Sequence, residues 1–208
     1  MNNQIISQGA EAIIEEKENF IIKKRIEKSY RIKELDEKIR KLRTRSEGRI
    51  MERASKVISV PKIFKIDESK KEIEMQKING KKLSDYINKC SIVEQEKICI
   101  KIGENISKLH NHNLIHGDLT TSNMILIKNR NNFEVYFIDF GLGFISSKVE
   151  DKAVDLHLLK EALEAGFSRR WEILFNFVKI GYKRYNRSKF VLERLKAVEK
   201  RGRYKQGY

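Results

Sequence analysis

Three side chains that can supply oxygen ligands lie near the middle of this sequence. Asp118 and Asn123 stand five residues apart, and Asp139 directly follows the apolar segment 135–138. Mg²⁺ prefers carboxylate and amide oxygens, and a carboxylate also orients an attacking hydroxyl and accepts its proton. We therefore expect the three side chains to converge on one metal-bound phosphate, as phosphoryl transfer requires.

The spacing of these residues matches two signatures of protein kinases. Residues 118–123 have the D-x-x-x-x-N spacing, and Asp139-Phe140-Gly141 is the D-F-G triplet. The two signatures in this order, with a strand pattern between them, are more specific than either alone. The alternative is that these are ordinary turn residues, since Asp, Asn and Gly favour turns. The chain has no GxxxxGK[ST] motif, which argues against a P-loop NTPase.

A lysine and a glutamate earlier in the chain are candidates for a phosphate-binding ion pair. Glu47 falls within the apolar arc of a predicted helix over 33–58, where an unpaired charge is costly. Lys23, at the end of a predicted strand, is the partner we favour, because a Lys–Glu pair can place an ammonium on nucleotide phosphates. The alternative partners are the nearby Arg43 and Arg45.

The first turn of the chain is a candidate phosphate cradle. Segment 7–11, which contains Gln8, Gly9, Ala10 and Glu11, lies between two short predicted strands. A tight turn there can direct backbone N–H groups at a phosphate. Gly9 alone is equally consistent with an ordinary hairpin, because the GxGxxG pattern is absent.

The periodicity predicts an α+β protein with a β-rich first lobe and a helical second lobe. We place the first lobe at 1–78, the second at 79–199 and a basic tail at 200–208, with the crossing near 79–82. By analogy, an adenine ring would lie against the backbone of 76–78, ending at Ile78, with Met75 beside it. The predicted elements comprise strands 5–6, 12–14, 20–22, 63–66 and 73–78, hairpin strands 124–127 and 135–138, and helices 33–58, 83–88, 93–112, 150–165, 168–187 and 190–198.

Three histidines and one acid near the catalytic loop are interpreted as structural. His110 and His112 are expected to be helix-end residues, because no Cys/His pair at zinc spacing accompanies them. His116 is expected to form hydrogen bonds near the aspartates. Asp155 either anchors the backbone of the catalytic loop or is a solvated acid.

Composition indicates a folded, basic protein in a reducing compartment. The 208 residues carry a formal charge of +15, which favours a polyanionic neighbour such as RNA, although a lysine-rich or heat-adapted surface is the alternative. Cys90 and Cys99 form no CxxC pair. The sequence shows neither a membrane span nor a secretory signal, so we expect a cytoplasmic protein.

Together these motifs resemble one kinase family over almost the whole chain. The chain is similar to the small atypical serine/threonine kinase subunit of the KEOPS complex, the PRPK-like family, in its archaeal form. Thr120 replaces the lysine that ordinary protein kinases carry two residues after the catalytic aspartate, as fits this family. The resemblance rests on Gln8-Gly9-Ala10-Glu11-Ala12, Ile22-Lys23, Lys28-x-Tyr30-Arg31, Arg43-Thr44-x-x-Glu47, the segments 116–123 and 138–142, Glu150-Asp151-Lys152-x-Val154-Asp155-Leu156, and Arg201-Gly202-Arg203.

The resemblance implies a minimal bilobal kinase fold that binds ATP and Mg²⁺, phosphorylates itself on serine and hydrolyses ATP. By position, Lys23 holds the phosphates with Glu47 as its partner. Asp118 is the catalytic acid/base, and Asn123 and Asp139 bind the metal. The remaining nucleotide contacts assigned in this way are Gln8, Gly9, Ala10, Glu11, Met75 and Ile78.

The resemblance also implies partners. It predicts work in a KEOPS complex that makes threonylcarbamoyladenosine in tRNA. The expected neighbours are an ASKHA-fold catalytic subunit, to which some archaeal members are fused, a small regulatory KEOPS subunit and tRNA, with no membrane. Arg201 and Arg203 are the residues expected near tRNA or a partner subunit.

Two other functions share some of these features. A RIO-like or small-molecule kinase would use the same aspartates, although no substrate-binding insertion follows residue 80. A non-catalytic RNA-binding scaffold would retain the basic surface but would not need intact Lys23, Asp118 and Asp139. The segment from Gly141 to the next helix is short and lacks an A-P-E triplet, so a full peptide-docking shelf is not expected.

Overall fold

The computed structural model describes residues 4–9, 11–129 and 132–203. Ala10, assigned above to the phosphate turn, lies outside the described residues. So do the tail beyond residue 203 and the side chain of Arg203. Within the described part of the chain, no helix is long and apolar enough to cross a membrane.

The first half of the chain folds as a five-stranded antiparallel sheet with one long helix. The strand order is β1-β2-β3-β5-β4, so β3 lies at the centre and its residue Lys23 pairs with Ile14 on one side and Ile73 on the other. Helix α1 packs against β4 and β5. The elements are β1 Gln4–Gln8, β2 Ala12–Glu16, β3 Phe20–Arg25, α1 Lys33–Ala54, β4 Ile63–Asp67 and β5 Glu72–Gln76.

The second half is mostly helical, with two small sheets at the edge that faces the first half. The strand orders are β6-β8-β9 and β10-β7. The elements are β6 Lys81–Lys82, α2 Leu83–Tyr86, α3 Ile92–Asn111, β7 Leu114–Ile115, β8 Met124–Asn129, β9 Asn132–Phe137, β10 Phe144–Ile145, α4 Val149–Gly166, α5 Trp171–Tyr182 and α6 Ser188–Arg203. The predicted α+β class, with a β-rich first lobe and a helical second lobe, is confirmed.

Helix α3 is the central element of the helical half. It begins with a capping box in which the Ser91 side chain accepts a hydrogen bond from the backbone of Glu94 and the Glu94 side chain bonds back to Ser91. The apolar residues that recur along it at helical spacing form a stripe that is buried along its whole length, because α5 and β9 pack against it. The stripe comprises Ile98, Ile102, Ile106 and Leu109.

Two predicted helices are shorter than their apolar periodicity suggested. Helix α1 ends at Ala54 instead of residue 58. Residues 55–57 form a turn, in which the N–H of Val57 bonds to the Ala54 carbonyl three residues back. Ile58 is nevertheless buried. Helix α5 spans Trp171–Tyr182 instead of 168–187, so the buried Tyr185 lies beyond its end. The period of apolar residues therefore predicted correctly that Ile58 and Tyr185 are buried, although it overestimated the lengths of these two helices.

Helices α3 and α5 approach closely because each has a glycine where they cross. A Cβ built on Gly103 would lie 2.0 Å from the carbonyl oxygen of Val178, and one on Gly181 would lie 2.0 Å from the carbonyl oxygen of Ile100. Both neighbours are backbone atoms, so only a shift of the helices could relieve the clash.

We expect Gly103→Ala to lower the free energy of unfolding by about 1–3 kcal/mol, because the added methyl forces α3 and α5 apart. Gly166→Ala is the matched control, since a Cβ at Gly166 meets no atom within 4 Å. The control should be neutral or slightly stabilising. Urea denaturation of both variants measures the difference, and equal midpoints would contradict the close packing described here.

Candidate active site

A buried ion-pair network joins β3 to helix α1. The Lys23 ammonium lies 2.6 Å from Glu47 Oε1, and Arg25 Nη2 lies 2.6 Å from Glu47 Oε2. All three side chains are buried, and Glu47 is only 1% exposed. The expected contact between Lys23 and Glu47 is present. The alternative partners bond elsewhere, Arg43 to Glu11 and Arg45 to Glu68.

The same lysine also binds the aspartate of the D-F-G triplet. Lys23 Nζ lies 2.6 Å from Asp139 Oδ1. Burial alone would lower the pKa of Lys23, but the charges of Glu47 and Asp139 outweigh it and hold that pKa above its ordinary value. Burial would likewise raise the pKa of Asp139, and the Lys23 charge reverses the effect and lowers it. Both groups are therefore charged at neutral pH.

Asp139 has a left-handed backbone conformation, with φ of 62°. This conformation is uncommon outside glycine, although Asp tolerates it better than most residues. The Gly141 N–H donates to Asp139 Oδ1 at 3.2 Å, which helps to fix the carboxylate. A Cβ on Gly141 would approach that oxygen to 3.0 Å. The D-F-G backbone thus presents one carboxylate in a defined position beside Lys23.

The catalytic-loop signature brings its acid and amide into direct contact. Asn123 Nδ2 donates to Asp118 Oδ2 at 2.8 Å and to the Asp118 carbonyl oxygen at 3.0 Å. The Ile138 N–H donates to the Asn123 carbonyl at 3.0 Å, which ties this loop to the residue before Asp139. The amide nitrogen of Asn123 is used within the loop, so its side-chain oxygen is the atom suited to a cation.

Asp155 anchors the backbone of the catalytic loop, which settles the choice left open by the sequence. Its carboxylate accepts the N–H of His116 at 2.9 Å and the N–H of Gly117 at 2.8 Å. Gly117 has φ of 79°, and a Cβ there would lie 2.3 Å from the Leu142 carbonyl oxygen. Only glycine fits this position, so Asp155 holds a turn that leads directly into Asp118.

His116 is structural and neutral. Its Nε2 lies 3.1 Å from the Ile138 carbonyl oxygen, so Nε2 carries the proton. Its Nδ1 accepts the N–H of Asp118 at 3.3 Å. Burial lowers the pKa of His116, consistent with this neutral tautomer. The imidazole therefore links the catalytic loop to the D-F-G strand.

His110 is not the simple helix-end residue that the sequence suggested. It is fully buried, with Nε2 at 3.2 Å from Asp155 Oδ2 and Nδ1 at 2.8 Å from the Tyr182 hydroxyl. No local pattern indicates this role, because both partners lie more than forty residues away along the chain. His112, by contrast, is exposed at the end of α3, as expected.

The two halves of the site enclose a cleft of about 310 Å³. Lys23, Asp118 and Asp139 line it, as do Gly9 and Glu11 of the first turn. Arg25 and Arg43 also line it, and sequence reasoning did not assign either of them to the site. Their spacing carried a signal: Arg25 lies two residues after Lys23 on one strand, and Arg43 lies four before Glu47 on one helix.

Six other assigned residues do not belong to the described lining of this cleft. Two of them, Glu47 and Asn123, contact the lining residues Lys23 and Asp118, and the other four lie elsewhere. Gln8 is exposed on β1, Met75 is buried in the core, and Ile78 is partly buried after β5. The Arg201 guanidinium bonds to Glu150 on α4. Their assignments to nucleotide, tRNA or partner contact stay predictions.

The donor set suits a metal that is held partly by phosphates. No group of three His, Cys, Asp or Glu side chains in the described ranges converges on a possible metal site. Mg²⁺ in phosphoryl-transfer enzymes needs only one or two protein carboxylate or amide oxygens, with phosphates and water completing its shell. Asn123 and Asp139 supply that number. Arg25 Nε, buried and without a hydrogen-bond partner among the described residues, adds an unused donor at the cleft.

Comparisons with known proteins agree with this geometry. The RIO domain family matches residues 14–157. The KEOPS complex subunit Bud32 of Pyrococcus abyssi is 40% identical, over 98% of this chain and 97% of its own length. The chain belongs to the Bud32 family of RIO-domain proteins. A probable serine/threonine-protein kinase BUD32 homolog of Archaeoglobus fulgidus is 39% identical over 94% of both chains.

Some Bud32-family relatives are much longer than this chain. A probable bifunctional tRNA threonylcarbamoyladenosine biosynthesis protein of Methanocaldococcus jannaschii is 42% identical over 96% of this chain. The chain spans only 37% of that protein. Its match therefore covers one part of a larger polypeptide.

Solved structures share the fold at low sequence identity. The Rio2 kinase of Chaetomium thermophilum, in an ADP/Mg²⁺-phosphoaspartate complex, aligns with a TM-score of 0.64 at 15% identity and covers 97% of this chain and 70% of its own. WaaP, solved with acyl carrier protein, aligns with a TM-score of 0.59 at 11% identity, covering 96% and 88% of the two chains. These two likenesses bear on fold alone.

The buried His110 predicts a loss of stability on mild acidification. Burial lowers the pKa of His110, so the unfolded chain binds a proton near pH 6.5 that the folded chain does not. The contribution of the neutral imidazole to the free energy of unfolding is fully present above pH 6.5. It is lost as the pH falls below 6.5, by at most about 1.4 kcal/mol per pH unit for each such histidine. His116 should add a second contribution of the same sign.

The free energy of unfolding, measured in urea between pH 7.5 and 5.5, should therefore fall with pH. We expect His110→Gln to be less stable at pH 7.5 but to show a shallower slope. The exposed His112→Gln should keep the wild-type slope. An unchanged slope in His110→Gln would show that this imidazole binds protons alike in the folded and unfolded chain, so that burial does not lower its pKa.

Proposed function

We propose that the protein is an Mg²⁺- and ATP-dependent atypical serine/threonine kinase with ATPase activity that serves a cytoplasmic KEOPS complex in the threonylcarbamoyladenosine modification of tRNA. The observation that carries the enzymatic part is the buried Lys23–Glu47 pair, which faces Asp118 and Asp139 across one cleft. A RIO-type kinase fold and Bud32-family relatives named as kinases support the same activity.

Each residue of the cleft has a role that its contacts support. Lys23, fixed by Glu47, is a positive charge for the nucleotide phosphates. Asp118, held by Asn123, orients the attacking hydroxyl or water and accepts its proton. Asp139 and Asn123 would hold Mg²⁺, which when bound neutralises charge on the transferring phosphate.

The short segment after Gly141 favours hydrolysis and self-phosphorylation over the phosphorylation of peptides. Residues 142–148 connect the D-F-G triplet to α4, and the only strand among them, Phe144–Ile145, pairs with β7. A peptide-docking shelf needs a longer activation segment than these residues provide. Water and serine residues of this or a neighbouring chain are therefore the acceptors we propose.

The proposed partners follow from relatives and charge. The Pyrococcus relative is named as a KEOPS subunit, and the longer methanogen relatives are named for threonylcarbamoyladenosine biosynthesis in tRNA. We infer an ASKHA-fold catalytic subunit and a small regulatory subunit as neighbours. The net charge of +15 suits contact with tRNA, with Arg201 and Arg203 as the proposed contacts.

Asp118→Ala should lower ATP hydrolysis by at least about 100-fold, because it removes the group that accepts the proton. Nucleotide affinity should change much less, since Lys23, Glu47 and Asp139 remain. The measurement is phosphate release with and without candidate partner subunits and tRNA. Asp85→Ala, an exposed acid outside the cleft, is the control. Wild-type turnover by Asp118→Ala would rule out the proposed mechanism.

Asp139→Ala should weaken the binding of ATP in the presence of Mg²⁺ by about tenfold or more, because the metal loses a charged ligand. In EDTA the same variant should bind ATP at least as well as wild type, since Lys23 is freed from one carboxylate. Isothermal titration calorimetry under both conditions separates the two effects. Equal losses with and without Mg²⁺ would argue against a metal role.

A further inference from the structure

One cation in the cleft differs from the others in how it is held. Arg43 lies on α1, one helical turn before Glu47, and its guanidinium Nη1 is 2.6 Å from Glu11 Oε2. Glu11 stands at the start of β2, beside the turn proposed as a phosphate cradle. Both residues line the same cleft as Asp118 and Asp139. An arginine of the helix thus reaches across the mouth of the cleft to the first turn.

The contact between Arg43 and Glu11 is open to water, unlike the network behind it. The Arg43 side chain is 37% exposed and that of Glu11 is 49% exposed, whereas Glu47 is 1% exposed. Solvent screens an exposed pair, and such pairs contribute little to stability. Breaking the Glu47 network would leave a buried charge unpaired, which is strongly unfavourable. Arg43 is therefore the cation that can change partner at low cost.

The charge balance of the cleft indicates what the new partner would be. Lys23 already forms ion pairs with two carboxylates, those of Glu47 and Asp139, and Arg25 forms an ion pair with Glu47. A nucleotide phosphate tail adds several negative charges beside Glu11, Asp118 and Asp139. Lys23 also contacts Asp139, whose side chain is 47% exposed, but the buried Glu47 holds Lys23 in place as it does Arg25. Among the cations that line the described cleft, Arg43 is the one whose ion pair involves only an exposed acid, and Glu11 can turn to solvent. A guanidinium also matches the geometry of phosphate oxygens.

Glu11 would not be left without a counter-charge if Arg43 moved. Arg31 Nη2 lies 3.8 Å from Glu11 Oε1, while another Arg31 nitrogen, Nη1, lies 3.4 Å from Asp36. The exchange thus replaces one ion pair with another and isolates no group. This second arginine makes the departure of Arg43 from Glu11 energetically plausible.

We propose that Arg43 binds the phosphate tail of ATP, and that Glu11 is the competing anion that holds Arg43 when no nucleotide is bound. The inference rests on the proposed ATP binding and adds a phosphate-contacting residue and its competitor to that site. It predicts effects of opposite sign for the two members of one ion pair. A purely structural pair would give effects of the same sign, because either substitution breaks the same contact.

The test is isothermal titration calorimetry of the full chain with ATP and with AMP, both with Mg²⁺. Arg43→Gln should weaken ATP binding about tenfold, since charge-assisted hydrogen bonds to phosphate are lost. AMP binding should change less than twofold if the terminal phosphates are the ones contacted. Glu11→Gln should tighten ATP binding by about two- to fivefold. Arg43→Lys, which keeps the charge, should recover part of the lost affinity.

A second ion pair on the same helix supplies matched controls. Arg45 bonds to Glu68 and has a side chain 40% exposed, close to that of Arg43, but neither residue lines the cleft. Arg45→Gln and Glu68→Gln should leave the affinities for ATP and AMP at wild-type values. Thermal unfolding of all variants without nucleotide checks that each one folds.

The outcomes separate this inference from the function on which it rests. If wild type binds no ATP, the proposed function fails, and the inference fails with it. If wild type binds ATP and Arg43→Gln binds it as Arg45→Gln does, only the inference is overturned. Equal weakening by Glu11→Gln and Arg43→Gln would likewise overturn it in favour of a structural pair.

Discussion

The arrangement of the cleft depends on one buried carboxylate. Glu47 is almost completely removed from water, and a charge in that position is tolerated only when it is paired. Its two partners, Lys23 and Arg25, both come from β3, which is the central strand of the sheet. Pairing them with Glu47 therefore fixes α1 against the sheet. It also places the Lys23 ammonium where it reaches Asp139 of the other half of the molecule.

A second buried carboxylate organises the other wall in a comparable way. Asp155 accepts two backbone N–H groups of the catalytic loop and contacts His110, which in turn bonds to Tyr182 of α5. Three of these hydrogen bonds are buried and the one from Gly117 is partly buried, so loss of a partner would leave a buried polar group unsatisfied. The position of Asp118 is thus determined by the packing of α3, α4 and α5, although Asp118 itself lies on a short loop.

The cleft combines rigid and exchangeable charges. The networks around Glu47 and Asp155 are buried and costly to rearrange, whereas the pairs at the mouth are exposed and screened. The residues that fix the positions of the cleft side chains are therefore buried, whereas the charged residues that can change partner when a ligand binds are exposed. This separation is consistent with a kinase-like site that has only a short segment after the D-F-G triplet, because the candidate catalytic residues Asp118 and Asp139 line the cleft together with Lys23.

The sequence by itself determined the α+β class, the apolar face of α3 and the hairpin of β8 and β9, and it favoured the contact between Lys23 and Glu47 over the alternative partners Arg43 and Arg45. Each of these leaves a local signal, either a period of apolar residues, a motif, or one charge on an apolar face. It did not determine the ends of α1 and α5, the burial of His110, or the presence of Arg25 and Arg43 in the cleft. The ends of the two helices leave no mark in the apolar period, because the apolar residues Ile58 and Tyr185 beyond them are buried as well. The environments of His110, Arg25 and Arg43 depend on partners far away in the chain, and a charged or polar side chain looks the same in sequence whether it faces water or a buried carboxylate. Only the tertiary structure decides which, because the energy of such a group is set by the atoms that fold around it.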